Sequence, residues 1–176
     1  MNGKHGYLKL SLLPPAVKRL LLTGFEPFGG SDVNVSKDIV HAITPVMVLS
    51  DPWEEVRQTP SVEVVIEVEG VILQVDREGS LAVARRLLSG ESWDAIVHVG
   101  VCGTCTAPRL EMRAQDELDM RIPDNGGRQV SSEPLSGSGD LWSTAPIKTW
   151  MQDWDIDATP SVDAGRFLCN ETLYRT

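Results

Sequence analysis

Cys169 stands in "DAGRFLCNETLYRT", residues 163–176, behind a glycine and at the start of a predicted helix. A cysteine attacks as its thiolate, and at an ordinary pKa of about 8.5 only a few per cent is ionised at neutral pH. A helix N-terminus presents unpaired N–H groups that favour negative charge, so this position is expected to lower the pKa. Read alone, a cysteine ahead of a helix is more often a buried structural residue. A nucleophile also needs a base, and the histidines are His5, His41 and His98, all ahead of Cys169. "HVGVCGTC" places Cys102 and Cys105 with two residues between them and His98 just upstream. Such a pair fits a redox couple or half a zinc site, but zinc needs about four ligands and no second pair exists, so no metal is expected. His98 reads as a packed residue on a buried strand. Phe25 and Phe28, on "TGFEPFGG", are spaced to grip a flat ring or simply to pack beneath a strand end. "DMRIPDNGG" carries Asp119, Arg121 and Asp124, which by themselves suggest a solvated loop with a weak ion pair.

The elements that must position these residues follow from hydrophobic patterning. "RLLLTGF", from Arg19, is a continuous apolar run ending in glycine, as expected of a strand buried on both faces. Asn34 or Ser36 is placed to cap a helix over 37–43. Residues 51–61 are polar with two prolines and read as a loop. The β-branched run 62–76 predicts one or two strands, broken near Gly70. Leu81, Ala84, Leu87 and Leu88 recur at helical spacing, with Ser80 as the expected cap. "DAIVHVGVCG" predicts a second buried strand, 121–139 a loop, and "TAPIKTWMQDW" a helix. "ATPSVDAG" predicts a strand feeding the helix opened by "RFLCNETLYR". Alternating strands and helices with glycines at strand ends predict an α/β fold, a three-layer sandwich around a mostly parallel twisted sheet. In such sheets sites collect where strands end and helices begin, which selects "TGFEPFGG", "VGVCGTCTAPRLE" and "DAGRFLC".

The bulk properties narrow the function. A chain of 176 residues is long enough for one domain with a real core. We expect a flexible extension over 1–18 and the α/β domain over 19–176. The net charge of −9 argues against a nucleic-acid surface, which needs clustered Lys and Arg, and against an anionic membrane surface. No run approaches a membrane span or the apolar core of a signal peptide. Three cysteines make no secreted disulfide framework, so a cytosolic, reducing setting is expected. The oligomeric state is not legible.

Taken together, "TGFEPFGG" with "NVS", "VGVCG" with "LEMRAQDELDMRIPDN", and "DAGRFLCN" resemble the pyroglutamyl-peptidase I family of cysteine peptidases, from about Leu20 to the final residue. Three motifs in the family's order make the resemblance specific. It implies removal of N-terminal pyroglutamate from peptides, without cofactor or metal, by a Cys–His–Glu triad. Cys169 matches the nucleophile and Glu111 the triad glutamate. Arg121 matches a motif arginine that supports the site. Phe25 and Phe28 match the pair that grips the pyroglutamyl ring, and Val101, Ile122 and Leu168 fall among the remaining substrate contacts. The family's histidine lies beyond the cysteine on a later strand. None of the three histidines here matches it, so the resemblance implies a chain truncated before a final strand and helix, and inactive or weak. The rival expectations are a non-catalytic relative that binds blocked peptide N-termini, and a thiol-redox α/β protein using Cys102 and Cys105.

Overall fold

The computed structural model describes residues 16–49, 63–153 and 157–176. The expected loop at 51–61 and most of the expected N-terminal extension lie outside the described residues. Strand β1 runs from Ala16 to Phe25, so the domain begins ahead of the expected boundary at 19. β1 pairs in parallel with β3 (Val64–Leu73) on one side and with β4 (Ala95–His98) on the other. A further strand, β2 (Val46–Leu49), adds antiparallel to β3 and gives the order β2-β3-β1-β4. β2 was not expected, because "VMVL" is too short to show a period.

The strand period of two sends alternate β1 residues to opposite faces. Leu21 and Phe25 join one cluster with Leu73, Val75, Val83, Leu168 and Tyr174. Leu22 faces the other way, onto Val40 and Val68. The first cluster packs under α2 (Arg77–Leu88) and α4 (Leu168–Arg175), the second under α1 (Val35–Ala42). Helices on both faces of a mostly parallel sheet are the expected three-layer architecture. Each fully buried Leu or Val here contributes about 1.5–3 kcal/mol, so the central strand is the main anchor of the fold.

The predicted break at Gly70 does not occur; β3 is continuous. A Cβ at Gly70 would lie 2.8 Å from Val40 Cγ1, so glycine there admits α1 against the sheet. The cap expected at Ser80 is also corrected. Asp76 accepts from the Gly79 N–H at 2.8 Å, whereas Ser80 lies one turn inside and donates to the Arg77 carbonyl at 3.0 Å. Asp outcompetes Ser because its charge also favours the positive helix end.

Beyond β4 the chain forms small paired strands that carry the remaining motifs. β5 (Arg109–Glu111) pairs in parallel with β8 (Thr159–Ser161), and β6 (Arg113–Ala114) pairs antiparallel with β7 (Leu141–Trp142). Between β7 and β8 lies α3 (Ile147–Asp153). No helix among the described residues is long and apolar enough to cross a membrane.

Candidate active site

Three strand ends meet at Cys169, as the topology of a parallel sheet directs. The first is the β1–α1 loop. Asn34 caps α1 by accepting from the Ser36 N–H at 3.1 Å, and its amide donates to the Glu26 carbonyl at 2.9 Å. Ser36 Oγ in turn accepts the Phe25 N–H at 2.9 Å. The "NVS" run therefore holds "FEPF" in place, and of the two expected caps Asn34 is the one used. From the far side, Asn125 donates to the Pro27 carbonyl at 3.0 Å, and the half-buried Ile122 rests against Gly29.

The second segment is the loop after β4. A Cβ at Gly100 would stand 2.6 Å from Cys169 Sγ, so only glycine lets this loop reach the sulfur. The backbone N–H groups of Val101 and Cys169 favour the thiolate form of Cys169. Farther along, Cys102 and Cys105 form a disulfide. Cys169 is the free cysteine of the chain.

The third segment opens α4. Asn170, completely buried, is clamped to the segment just after β6: it accepts from the Gln115 N–H at 2.8 Å and donates to the Gln115 and Glu117 carbonyls at 2.9 and 3.0 Å. Glu171, also buried, takes two hydrogen bonds from Arg128, at 2.7 and 3.3 Å, and Arg128 holds the buried Asp124 at 2.9 Å. Asp124 thus pairs with Arg128, not with Arg121. These two residues after the cysteine fix its rotation about the helix axis. Sequence reading missed them because a polar residue in a helix ordinarily points to water.

The resulting cleft is small and open to solvent, about 20 Å³ within its walls, and is lined by Phe25, Phe28, Asn34, Val75, Val101, Phe167, Leu168 and Cys169. Five of these were expected from sequence. The ring of Phe28 lies 5.7 Å from that of Phe167, tilted by 31°. Phe25 is almost wholly buried in the core, so the aromatic partner of Phe28 is Phe167. Phe167 was legible in principle as an aromatic beside the cysteine. Ile122 backs the Phe28 loop and is not among the lining residues. Arg121 is exposed, and among the described residues its guanidinium has no ion pair; its carbonyl accepts from Gln129 at 3.2 Å.

Glu111, at the end of β5, is held by the pairing of Glu111 with Ser161 and by the Met112 N–H on the Ser161 carbonyl, 2.8 Å. Its charge acts on the Cys169 thiol, and its Oε2 is buried with no hydrogen-bond partner among the described residues. The expectation that the helix start lowers the Cys169 pKa is overturned. Burial pushes the thiol up and outweighs the Val101 and Cys169 N–H groups, and the Glu111 charge adds to the rise.

His98 does not supply a base to this thiol. Its Nδ1 lies 2.7 Å from Thr23 Oγ1 and its Nε2 lies 3.2 Å from Thr176 Oγ1. Burial lowers its pKa from 6.5 to about 4, so the ring is neutral at physiological pH. The unfolded chain binds more protons than the folded one between those values. Stability is therefore full above about 6.5 and falls as pH drops toward about 4. Thermal melts across this window should show a steeper acid loss for the wild type than for His98→Gln. Parallel curves would mean that His98 is not buried neutral. His41 is exposed on α1, and His5 lies outside the described residues.

Comparison with known proteins identifies a family. A profile of the family described as Pyroglutamyl peptidase matches residues 18–176. The chain is 32% identical over 164 residues to the pyrrolidone-carboxylate peptidase of Chromobacterium violaceum, covering 90% of this chain and 70% of that protein. It is 31% identical to the enzyme of the same name from Bacillus licheniformis, with 90% and 69% covered. Among solved structures, a mutant pyrrolidone carboxyl peptidase from Pyrococcus furiosus superposes with a TM-score of 0.72 at 29% identity, covering 89% of this chain and 71% of that one. The pyrrolidone carboxyl peptidase of Thermococcus litoralis superposes with the same TM-score, 0.72, at 26% identity, with 90% and 67% covered. With its fold, its three motifs and a profile match over nearly its whole length in agreement, the chain belongs to the pyroglutamyl-peptidase family of cysteine peptidases.

Proposed function

We propose that the cleft binds the N-terminal pyroglutamyl residue of peptides and that Cys169 is the nucleophile which cleaves the bond after it. The observation that carries this reading is the buried, unpartnered Oε2 of Glu111 acting on Cys169 beside an aromatic cleft. A buried carboxylate oxygen without a partner costs free energy, and a histidine between Glu111 and Cys169 would satisfy it. Glu111 would fix the tautomer of that histidine, and the histidine would take the thiol proton. The thiolate then forms a thioester with the pyroglutamyl carbonyl, the peptide amine leaves with the proton, and water releases the acid. The backbone N–H groups of Val101 and Cys169, which act on the thiol, would serve as oxyanion donors once the carbonyl is attacked. Phe28 and Phe167 would hold the lactam ring, which carries no free amine to desolvate.

A second reading, that the 176-residue polypeptide binds blocked N-termini without cleaving them, is favoured by the engagement of both His98 nitrogens with threonine hydroxyls. Binding is common to both readings and is tested directly. A pyroglutamyl peptide should protect Cys169 from iodoacetamide, the same peptide with N-terminal glutamate should not, and Phe28→Ala should weaken protection by about tenfold or more. Equal protection by both peptides would remove pyroglutamate as the ligand.

A further inference from the structure

The loop from Gly100 to Cys105 touches the nucleophile at one end and carries a disulfide at the other. Gly100 lies against Cys169 Sγ, and the adjoining Val101 N–H favours the thiolate at the same atom. The next residue, Cys102, is exposed and bonded to Cys105, their Cα atoms 5.4 Å apart. The Cys105 N–H also reaches back to the Cys102 carbonyl at 3.4 Å. A cross-link over a sequence separation of 3 closes too short a loop to add much to global stability, which grows with loop length. What it constrains is local: the backbone that presents Val101 to the sulfur. Exposure also leaves it open to attack by small thiols, as labile disulfides are.

We propose that the Cys102–Cys105 disulfide is a redox-sensitive clamp on the nucleophile. A dithiol reductant supplies two electrons and two protons. The Cys102–Cys105 bond breaks to two thiols, and the reductant leaves as its own disulfide. The freed loop then no longer holds the Val101 N–H on Cys169, and the thiolate loses a donor. The inference concerns thiol reactivity alone and does not rest on peptidase activity.

The test follows Cys169 labelling by limiting iodoacetamide at neutral pH, mapped by mass, on the full chain. The oxidised protein is compared with protein reduced by dithiothreitol, and with a variant carrying Cys102→Ser and Cys105→Ser, in which Cys169 is the remaining cysteine. Hydrogen bonds to charged groups are strong enough that both reduced and variant forms should label Cys169 about tenfold more slowly, with the pH midpoint moved up. Reoxidation by glutathione disulfide should restore the rate, which separates the clamp from misfolding of the variant. Rates that agree within about twofold between oxidised and reduced protein, or a disulfide that dithiothreitol leaves intact, overturn the proposal.

Discussion

Replacing Arg128 by methionine destabilises the chain by about 3–5 kcal/mol, the range for removing one partner of a buried charge network. Arg128 spans two carboxylates, Asp124 and Glu171, whose side chains are each only 1% exposed. Its backbone N–H also reaches Asp124, at 2.8 Å. Without the guanidinium, two desolvated negative charges face one another across the space methionine fills. The group closest to rescue is Arg175, 3.7 Å from Glu171, and it leaves Asp124 uncompensated. Urea unfolding followed by circular dichroism measures the loss. Adding Asp124→Asn and Glu171→Gln to the same variant should recover part of it, because neutral amides are cheaper to bury than charges. A loss below about 1 kcal/mol would place this network among surface ion pairs instead. Glu171 lies next but one to Cys169, so the surviving folded fraction should also label more heterogeneously at Cys169.

The contrast between Asp124 and Arg121 shows where sequence reading reached its limit. Both sit in "RIPDN", and pattern alone placed them, with Asp119, on a solvated loop with a weak ion pair. The structure buries Asp124 and hands it to Arg128, a contact fixed by how the loop folds back over the start of α4. Long-range burial of polar groups leaves no period in a sequence. The strands and helices were more legible, because a run such as "RLLLTGF" admits few other fates. The errors came where two physical causes write the same letter. Gly70 reads as a break, yet serves close packing under Val40. Ser80 reads as a cap, yet Asp76 precedes it by one turn. At the site, Cys169, Phe25, Phe28, Val101 and Leu168 were found through motif resemblance, whereas Asn34, Val75 and Phe167 close the same cleft without having been expected. The thiol pKa went the wrong way, because the helix start could be read from sequence and the burial of the sulfur could not.

A histidine placed between Glu111 and Cys169 should raise cleavage of a pyroglutamyl amide by about 10²–10⁴ over the 176-residue polypeptide, the typical contribution of a positioned general base. In that polypeptide the thiol pKa is pushed up and the groups acting on it are backbone N–H donors and the Glu111 charge. Among the described residues no histidine faces the thiol to take its proton and pass it to the leaving amine. A C-terminal segment that carries a histidine, fused after Thr176, would provide such a base. Fusion makes docking intramolecular at an effective concentration of about millimolar, so modest affinity for the site suffices. Glu111→Gln in the fusion should cut the rate steeply while leaving the fold intact, since an amide no longer fixes the imidazole tautomer. Triad members act as a unit, so the losses from Cys169→Ser and Glu111→Gln should not add.

Release of a fluorophore from a pyroglutamyl amide by that fusion is the most direct measurement of the central claim. The account predicts turnover that disappears with Cys169→Ser and discriminates against the corresponding glutamyl amide with a free N-terminus. A folded fusion that cleaves neither substrate, or whose turnover survives Cys169→Ser, would contradict it.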